Sequence, residues 1–233
     1  MNRLSAALAV SLWFAPLAAS AGPAAELHFP TANPADIARW IGPPPSGSAA
    51  SRDMAELLAV QARRTPHDCA VANAAAELSI FDPFTEVFGK QTTAEAYPAT
   101  TRLLAALVED TFIVTAEAKA VYDRARPDAI NRRVHPCIVQ PKTSAYPSGH
   151  GLFIYTAAEA FAALVPERRA AIFASADTFA YQRIVGGIHF PSDASASRTA
   201  AALYYARASA DPAFGPAFAA ARQEFRGGLA LRP

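Results

Sequence analysis

Downstream of residue 52, apolar residues recur at helical rather than alternating intervals along nearly the whole chain. Leu103, Leu107, Val114 and Val121 share near-helical spacing in a stretch that predicts a helix from about Ala99 to Ala125. It should stop before Pro127, because a proline pushes the residue ahead of it out of the α region. DMAELLAVQARR predicts an earlier helix capped by Asp53, and TPHDCAVANAAAELSI predicts another, opened by Thr65 and Pro66. Helical pattern resumes over Gly151–Val165, from Pro166 to about Gly186, over Ser192–Ser209 and over Asp211–Arg226. No alternating run of comparable length competes, and no internal repeat is evident. The expected fold is all-α, a single-domain helical bundle.

Three stretches break this pattern. Residues 22–52 are rich in Pro, Gly, Ser and Ala, most clearly in GPPPSGSAAS from Gly42 to Ser51, and predict an arm or linker rather than core. RPDAINRRVHPCIVQPKTSAYPSGH carries prolines at 127, 136, 141 and 147 and is long enough to be read as a functional lid. At the N-terminus, Asn2 and Arg3 lead into LSAALAVSLWFAPLAA, followed by Ala19, Ser20 and Ala21 in an A-x-A arrangement. That pattern predicts an export leader over residues 1–21, cleaved after Ala21, since the run is short for a bilayer span and Pro16 interrupts it. The expected organisation is a leader (1–21), an arm (22–52) and a helical domain (53–233) in a periplasmic or secreted protein.

Composition narrows the partners. A chain of 233 residues, 52% of them hydrophobic, can bury a substantial core in one domain. The formal charge of +1 supplies no global field for nucleic acid or an anionic membrane. Removing residues 1–21 takes Arg3 from the 21 basic residues and none of the 20 acids, so the remaining chain is neutral. Any preference for anions must come from a local site. No later segment has the apolar length of a membrane span, so no membrane association is expected after cleavage. Cys69 and Cys137 both follow the leader into a disulfide-permissive compartment, where one bridge is favoured over two separate buried thiols. A zinc site is not expected, because His67 and His135 lack the close paired spacings of such sites. His28, His67 and His135 receive no role.

The candidate chemistry begins at PSGH, Pro147 to His150, at the mouth of a long apolar helix. Helix mouths expose unpaired N–H groups and the positive end of the dipole, which favours an anion such as phosphate. Lys119 and Arg126, seven apart in KAVYDRARP, return to nearly the same helical face after two turns and could grip one anion, although a solvated basic stripe is the blander reading. In YQRIVGGIHFPSDASASR, Gly186 and Gly187 should end a helix and leave His189 in a turn. Pro191 and Ser192 would open the next helix, with Asp193 in its first turn. A first-turn carboxylate can also be explained by the helix dipole alone.

The three groups in order are Lys119, six residues, Arg126 and Pro127; then PSGH; then Arg183, five residues, His189, three residues and Asp193. This order and spacing resemble the three-part signature of the type 2 phosphatidic acid phosphatase (PAP2) superfamily, which also includes the vanadium haloperoxidases. Within it the chain is similar to the class A bacterial nonspecific acid phosphatases, from about residue 95 to the end. One departure is Gln182, where that family usually has a serine directly before the arginine.

The resemblance implies a secreted, metal-independent acid phosphatase acting on small phosphate monoesters. Lys119, Arg126 and Arg183 would neutralise the phosphate dianion, and Ser148 and the N–H of Gly149 would add donors. His189 is implied as the nucleophile, oriented by Asp193, and His150 as a protonated general acid. No cofactor is implied, and vanadate should inhibit. The rate should be bell-shaped in pH, on the acid side. Substrate selection is expected from the 127–147 lid and the helix near Phe81–Phe88. Two alternatives stand beside this reading: a haloperoxidase that uses vanadate as its cofactor, and a non-catalytic phosphoester-binding protein. Oligomeric state, including a homo-oligomer, is left open.

Overall fold

The computed structural model describes residues 27, 29 and 33–230, so the expected leader lies outside the described residues. Among those residues all regular structure is helical and there is no strand. The helices are α1 (Pro34–Trp40), α2 (Gly47–Arg63), α3 (Pro66–Ala74), α4 (Thr85–Phe88), α5 (Pro98–Tyr122), α6 (Pro127–Ile130), α7 (Gly149–Leu164), α8 (Arg169–Val185), α9 (Pro191–Ala208) and α10 (Phe214–Ala230). The expected all-α bundle is therefore the fold observed.

Helix α7 is the axle of the bundle. From Gly151 to Leu164 it is buried almost all round, as its predominantly apolar composition requires, and it packs on α5, α8 and α9. Two close approaches depend on glycine. A Cβ on Gly151 would lie 2.8 Å from the Ser197 Cβ on α9, and one on Gly186 would lie 2.4 Å from Ile138. An aromatic cluster fills the end of the bundle away from the α7 N-terminus, with Phe161 5.0 Å from both Phe84 and Phe88, and Phe225 5.1 Å from Phe88. Glu224 of α10 accepts from the N–H groups of Ala99 and Thr100 at 2.9 and 2.8 Å, satisfying the open N-terminus of α5.

Several expectations change. The 22–52 stretch is not wholly an arm: Ile37 and Ala38 of α1 are fully buried, and α1 packs on α5 and α9. Helix α2 starts at Gly47 instead of Asp53, because Ser and Ala after Ser46 extend the helix backwards, and Asp53 is buried in it rather than capping it. Helix α3 ends at Ala74, since the carbonyls of Ala75 and Ala76 are turned toward Arg183 and His150. Phe81, Phe84 and Phe88 belong to the core and do not wall a site.

The 127–147 segment is also not a free lid. Gln61 of α2 donates to the Arg133 carbonyl at 2.8 Å and accepts from the His135 N–H at 2.7 Å. Arg64 donates to the carbonyls of His135 and Val185. A disulfide joins Cys69 of α3 to Cys137, with Cα atoms 5.8 Å apart. The segment is thus fastened to α2, α3 and the end of α8.

Candidate active site

The polar residues singled out in the sequence converge where α5 ends, α7 begins and α8 turns into α9. Lys119 stands in the last turn of α5. The helix then stops, three residues earlier than the pattern predicts, because Asp123 adopts a left-handed conformation with φ 35°. Arg126 is therefore not on the Lys119 helix face. It reaches the site from the extended segment that follows, in which Arg124 and Arg126, two residues apart, both reach toward the α8–α9 turn.

Ser148 caps α7, its Oγ accepting from the Gly151 N–H at 3.2 Å. Gly149 and His150 are the first two residues of that helix. The missing side chain of Gly149 faces α5, where a Cβ would sit 3.3 Å from Thr115 Cγ2, so glycine here serves the packing of α7 on α5. Arg183 lies in the last turn of α8 and is 2% exposed, while His189 sits in the following turn. Asp193, in the first turn of α9, is fully buried.

Hydrogen bonds fix the state of His189. Its Nδ1 lies 3.0 Å from Asp193 Oδ2, and its Nε2 lies 2.9 Å from Arg126 Nη1. A guanidinium can only donate, so Nε2 carries the lone pair and Nδ1 carries the proton. Asp193 Oδ2 also accepts the Phe190 N–H at 2.9 Å, and Oδ1 accepts from Arg124 at 2.6 Å. The Arg124 guanidinium lies over the Phe190 ring at 3.8 Å and reaches Asp53 Oδ2 at 2.7 Å. Asp53 in turn accepts the Ser192 N–H at 3.0 Å and the Ser192 hydroxyl.

The cations are otherwise held by backbone carbonyls. Lys119 Nζ donates to Ser144. Arg126 donates to Thr143 and Ile188, each at 2.8 Å, and Arg183 donates to Ala75 at 3.0 Å. The Nε of Arg183 is buried without a hydrogen-bond partner among the described residues. His150 Nε2 lies 2.9 Å from the Ala76 carbonyl, which requires an N–H on that nitrogen.

Burial lowers the pKa of Lys119, Arg126, Arg183 and both histidines, and for all but Arg126 the crowding of like charges lowers it further. Burial, then the neighbouring Arg126, bring Lys119 down to about 8. Arg183 falls to about 10 by burial and by Arg126, and remains charged. Burial lowers His189 to about 3; Asp193 opposes this fall, and Arg126 and Lys119 add to it. His150 drops to about 4, chiefly by burial and then by Arg183, with Arg126 and Lys119 contributing, against the pull of the Ala76 carbonyl. In the free protein His150 is thus neutral above about pH 4, so a proton that it donates would have to be gained with the bound anion. An excess of buried positive charge around two neutral imidazoles favours a doubly charged anion.

The PAP2 superfamily model matches residues 99–210, the interval that contains Lys119, Arg126, the Ser148–His150 stretch, Arg183, His189 and Asp193. Residues 99–210 thus carry a likeness to the PAP2 superfamily. It is 29% identical over 152 residues to a non-specific acid phosphatase of Providencia stuartii, a match covering 63% of this chain and 61% of that protein. It is 30% identical over 146 residues to a non-specific acid phosphatase of Salmonella typhi, covering 60% of this chain and 58% of that one. The chain thus matches about three fifths of the length of these relatives. Among solved structures, a transmembrane PAP2-type phosphatidylglycerolphosphate phosphatase from Bacillus subtilis superposes with a TM-score of 0.51 at 18% identity, over 74% of this chain and 89% of that one. That likeness is one of fold. Here, no helix among the described residues is long and apolar enough to cross a membrane.

Four participants in this site have no counterpart in the sequence pattern. Arg124 and Asp53 stand outside the spaced motifs, Asp53 having the pattern of a helix cap, and the carbonyls of Ala75 and Ala76 carry no side-chain signal at all. For Arg124 the available signal was its place two residues before Arg126. No three His, Cys, Asp or Glu residues gather into a metal-holding group among the described residues.

Proposed function

We propose that this protein is an exported, metal-independent acid phosphatase that hydrolyses small phosphate monoesters through a phosphohistidine. The observation that carries the reading is the state of His189, proton on Nδ1 toward Asp193 and lone pair on Nε2, beside Arg126 and within the field of Lys119. The A-x-A leader supports export, and the phosphatase names of the relatives support the reaction class.

In this mechanism the phosphate dianion takes the guanidinium N–H groups of Arg126 and Arg183 and the ammonium of Lys119, with the α7 N-terminus contributing further donors. As Arg126 turns to a phosphate oxygen, the Nε2 lone pair of His189 is released. It forms a bond to phosphorus while the bond to the leaving oxygen breaks, and the departing electron pair takes a proton from His150. Asp193 stabilises the ring as positive charge develops on it. Water then attacks phosphorus and gives its proton to His150, the N–P bond breaks, and inorganic phosphate leaves with the lone pair restored to Nε2.

The direct test is hydrolysis of p-nitrophenyl phosphate across pH 4 to 9 in EDTA, with and without vanadate, beside His189→Ala. Turnover at acid pH that resists EDTA and is inhibited by vanadate is expected. His189→Ala should abolish turnover yet still bind phosphate. Near-normal turnover by the variant would remove His189 from the nucleophile role, and halide oxidation in vanadate and peroxide without hydrolysis would replace the phosphatase with a haloperoxidase.

A further inference from the structure

Asp193 is fully buried and its carboxylate takes part in three hydrogen bonds, of which only one goes to His189. The others tie it to the Phe190 N–H and to Arg124. Arg124 is itself 9% exposed, spans Asp193 and Asp53 with its two terminal nitrogens, and also donates to Ser192 Oγ at 2.7 Å. Its plane is fixed by the Phe190 ring beneath it. Asp53 is 8% exposed and belongs to α2, outside the segment that the superfamily model matches. The result is a buried row of alternating charge, Asp53, Arg124, Asp193, that ends on the ring of His189.

We infer that Arg124 and Asp53 are positioning residues for the phosphoryl-transfer reaction, which keep Asp193 an ionised acceptor and thereby fix the attacking tautomer of His189. The inference rests on the phosphatase reading above. A carboxylate out of reach of water is retained in its charged form only if it is paired and hydrogen-bonded. Lys119 and Arg126 also face Asp193 electrostatically, as does Tyr146 from the loop before α7. Those two cations are the ones the phosphate engages in the proposed reaction. Arg124 is the cation bonded directly to Asp193, and Asp53 holds it in place from the other side. Without Arg124, Asp193 would take up a proton at acid pH. A neutral carboxyl can donate as well as accept, and the ring of His189 would no longer be confined to one tautomer.

The test compares Arg124→Met, Arg124→Lys and Asp53→Asn with wild type, each checked for fold by circular dichroism. In Arg124→Met, kcat should fall about 10–100-fold, the loss typical of removing an outer partner of a working histidine. Phosphate inhibition should stay within about threefold, and the acid limb of kcat should move to higher pH. Arg124→Lys should return the acid limb toward wild type, and Asp53→Asn should move it in the same direction as Arg124→Met by less. Folded variants with unchanged kcat, or a loss equal at every pH with the limb unmoved, would overturn the proposal, since a purely structural role lowers activity uniformly.

A second readout needs neither turnover nor a variant. In wild-type protein labelled with 13C and 15N, the Asp193 carboxyl should remain ionised and the His189 Nδ1 protonated throughout pH 7 to 5. Protonation of Asp193 above pH 5, or a mixed tautomer at His189, defeats the inference even if the enzyme is a phosphatase. The expected signals in a chain without phosphatase activity would leave the positioning intact and remove only the reaction assigned to it.

Discussion

Burial and the neighbouring cations depress both His150 and His189, yet the proposed mechanism needs them in opposite protonation states, which ties the pH profile to the substrate. Free His150 loses its proton above about pH 4, whereas a phosphate monoester keeps its second proton up to about pH 6. Protonated His150 with the dianion has the same composition as neutral His150 with the monoanion, so the two ionisations compensate between these values. kcat/KM should therefore be flat between about pH 4 and 6, fall below as His150 and then His189 become protonated in the free enzyme, and fall above as the monoanion disappears. Measured with an alkyl phosphate and with an aryl phosphate of lower second pKa, the alkaline limb should follow the substrate and the acid limb should not move. An alkaline limb common to both would assign it to the enzyme and sink this account. At this scale the sequence singled out Lys119, Arg126, Ser148, His150, Arg183, His189 and Asp193 as candidates. It could not identify Arg124 as Asp193's partner, because an arginine near other arginines reads as a solvated stripe until the fold buries it.

Helix ends carry the chemistry, and the helix contacts set their separation. Helices α7 and α9 meet where the Ser148 N–H donates to the Asp193 carbonyl at 3.2 Å, and they approach so closely at Gly151 that the Ser197 hydroxyl accepts no bulk from α7 and instead donates to the Ser148 carbonyl at 2.7 Å. Gly151→Ala would place a methyl 2.8 Å from the Ser197 Cβ, and neither helix can yield locally. The expected cost is about 1–3 kcal/mol in urea unfolding, as for other overpacked cores. Because the two helices must separate, kcat should fall as well. The double variant Gly151→Ala with Ser197→Gly should recover much of both; no recovery would mean that the clash lies elsewhere. The sequence located α5, α8, α9 and α10 to within a few residues, because long amphipathic or apolar runs report themselves. It missed α1 as core and the true start of α2, since short helices rich in Ala, Ser and Pro acquire their helical state from the surface they pack on.

The molecule as a whole stores the consequence of burying His189 and partly burying His150 in neutral form. Both have an ordinary value of 6.5 when exposed and are lowered to about 4 and about 3 in the folded chain. Unfolding therefore takes up protons as the pH falls below 6.5, and the stability present above that value is lost progressively toward the folded values. Each histidine contributes a slope of about 1.4 kcal/mol per pH unit. Urea unfolding at pH 7, 6 and 5 should show this decline, and saturating phosphate should lessen it by compensating the cations around His150. A stability flat from pH 7 to 5 would mean that the histidines are not buried as described. By itself the sequence determined the helical class and the residue types of the candidate anion site, because periodicity and spaced polar residues are local properties of the chain. Only the tertiary structure decided that Arg126 leaves the α5 helix, that residues 127–147 are fastened by Gln61, Arg64 and Cys69, and that Asp53 meets Arg124. Those facts depend on where distant segments pack and on which charges lose their water, and neither is written in the spacing of neighbouring residues.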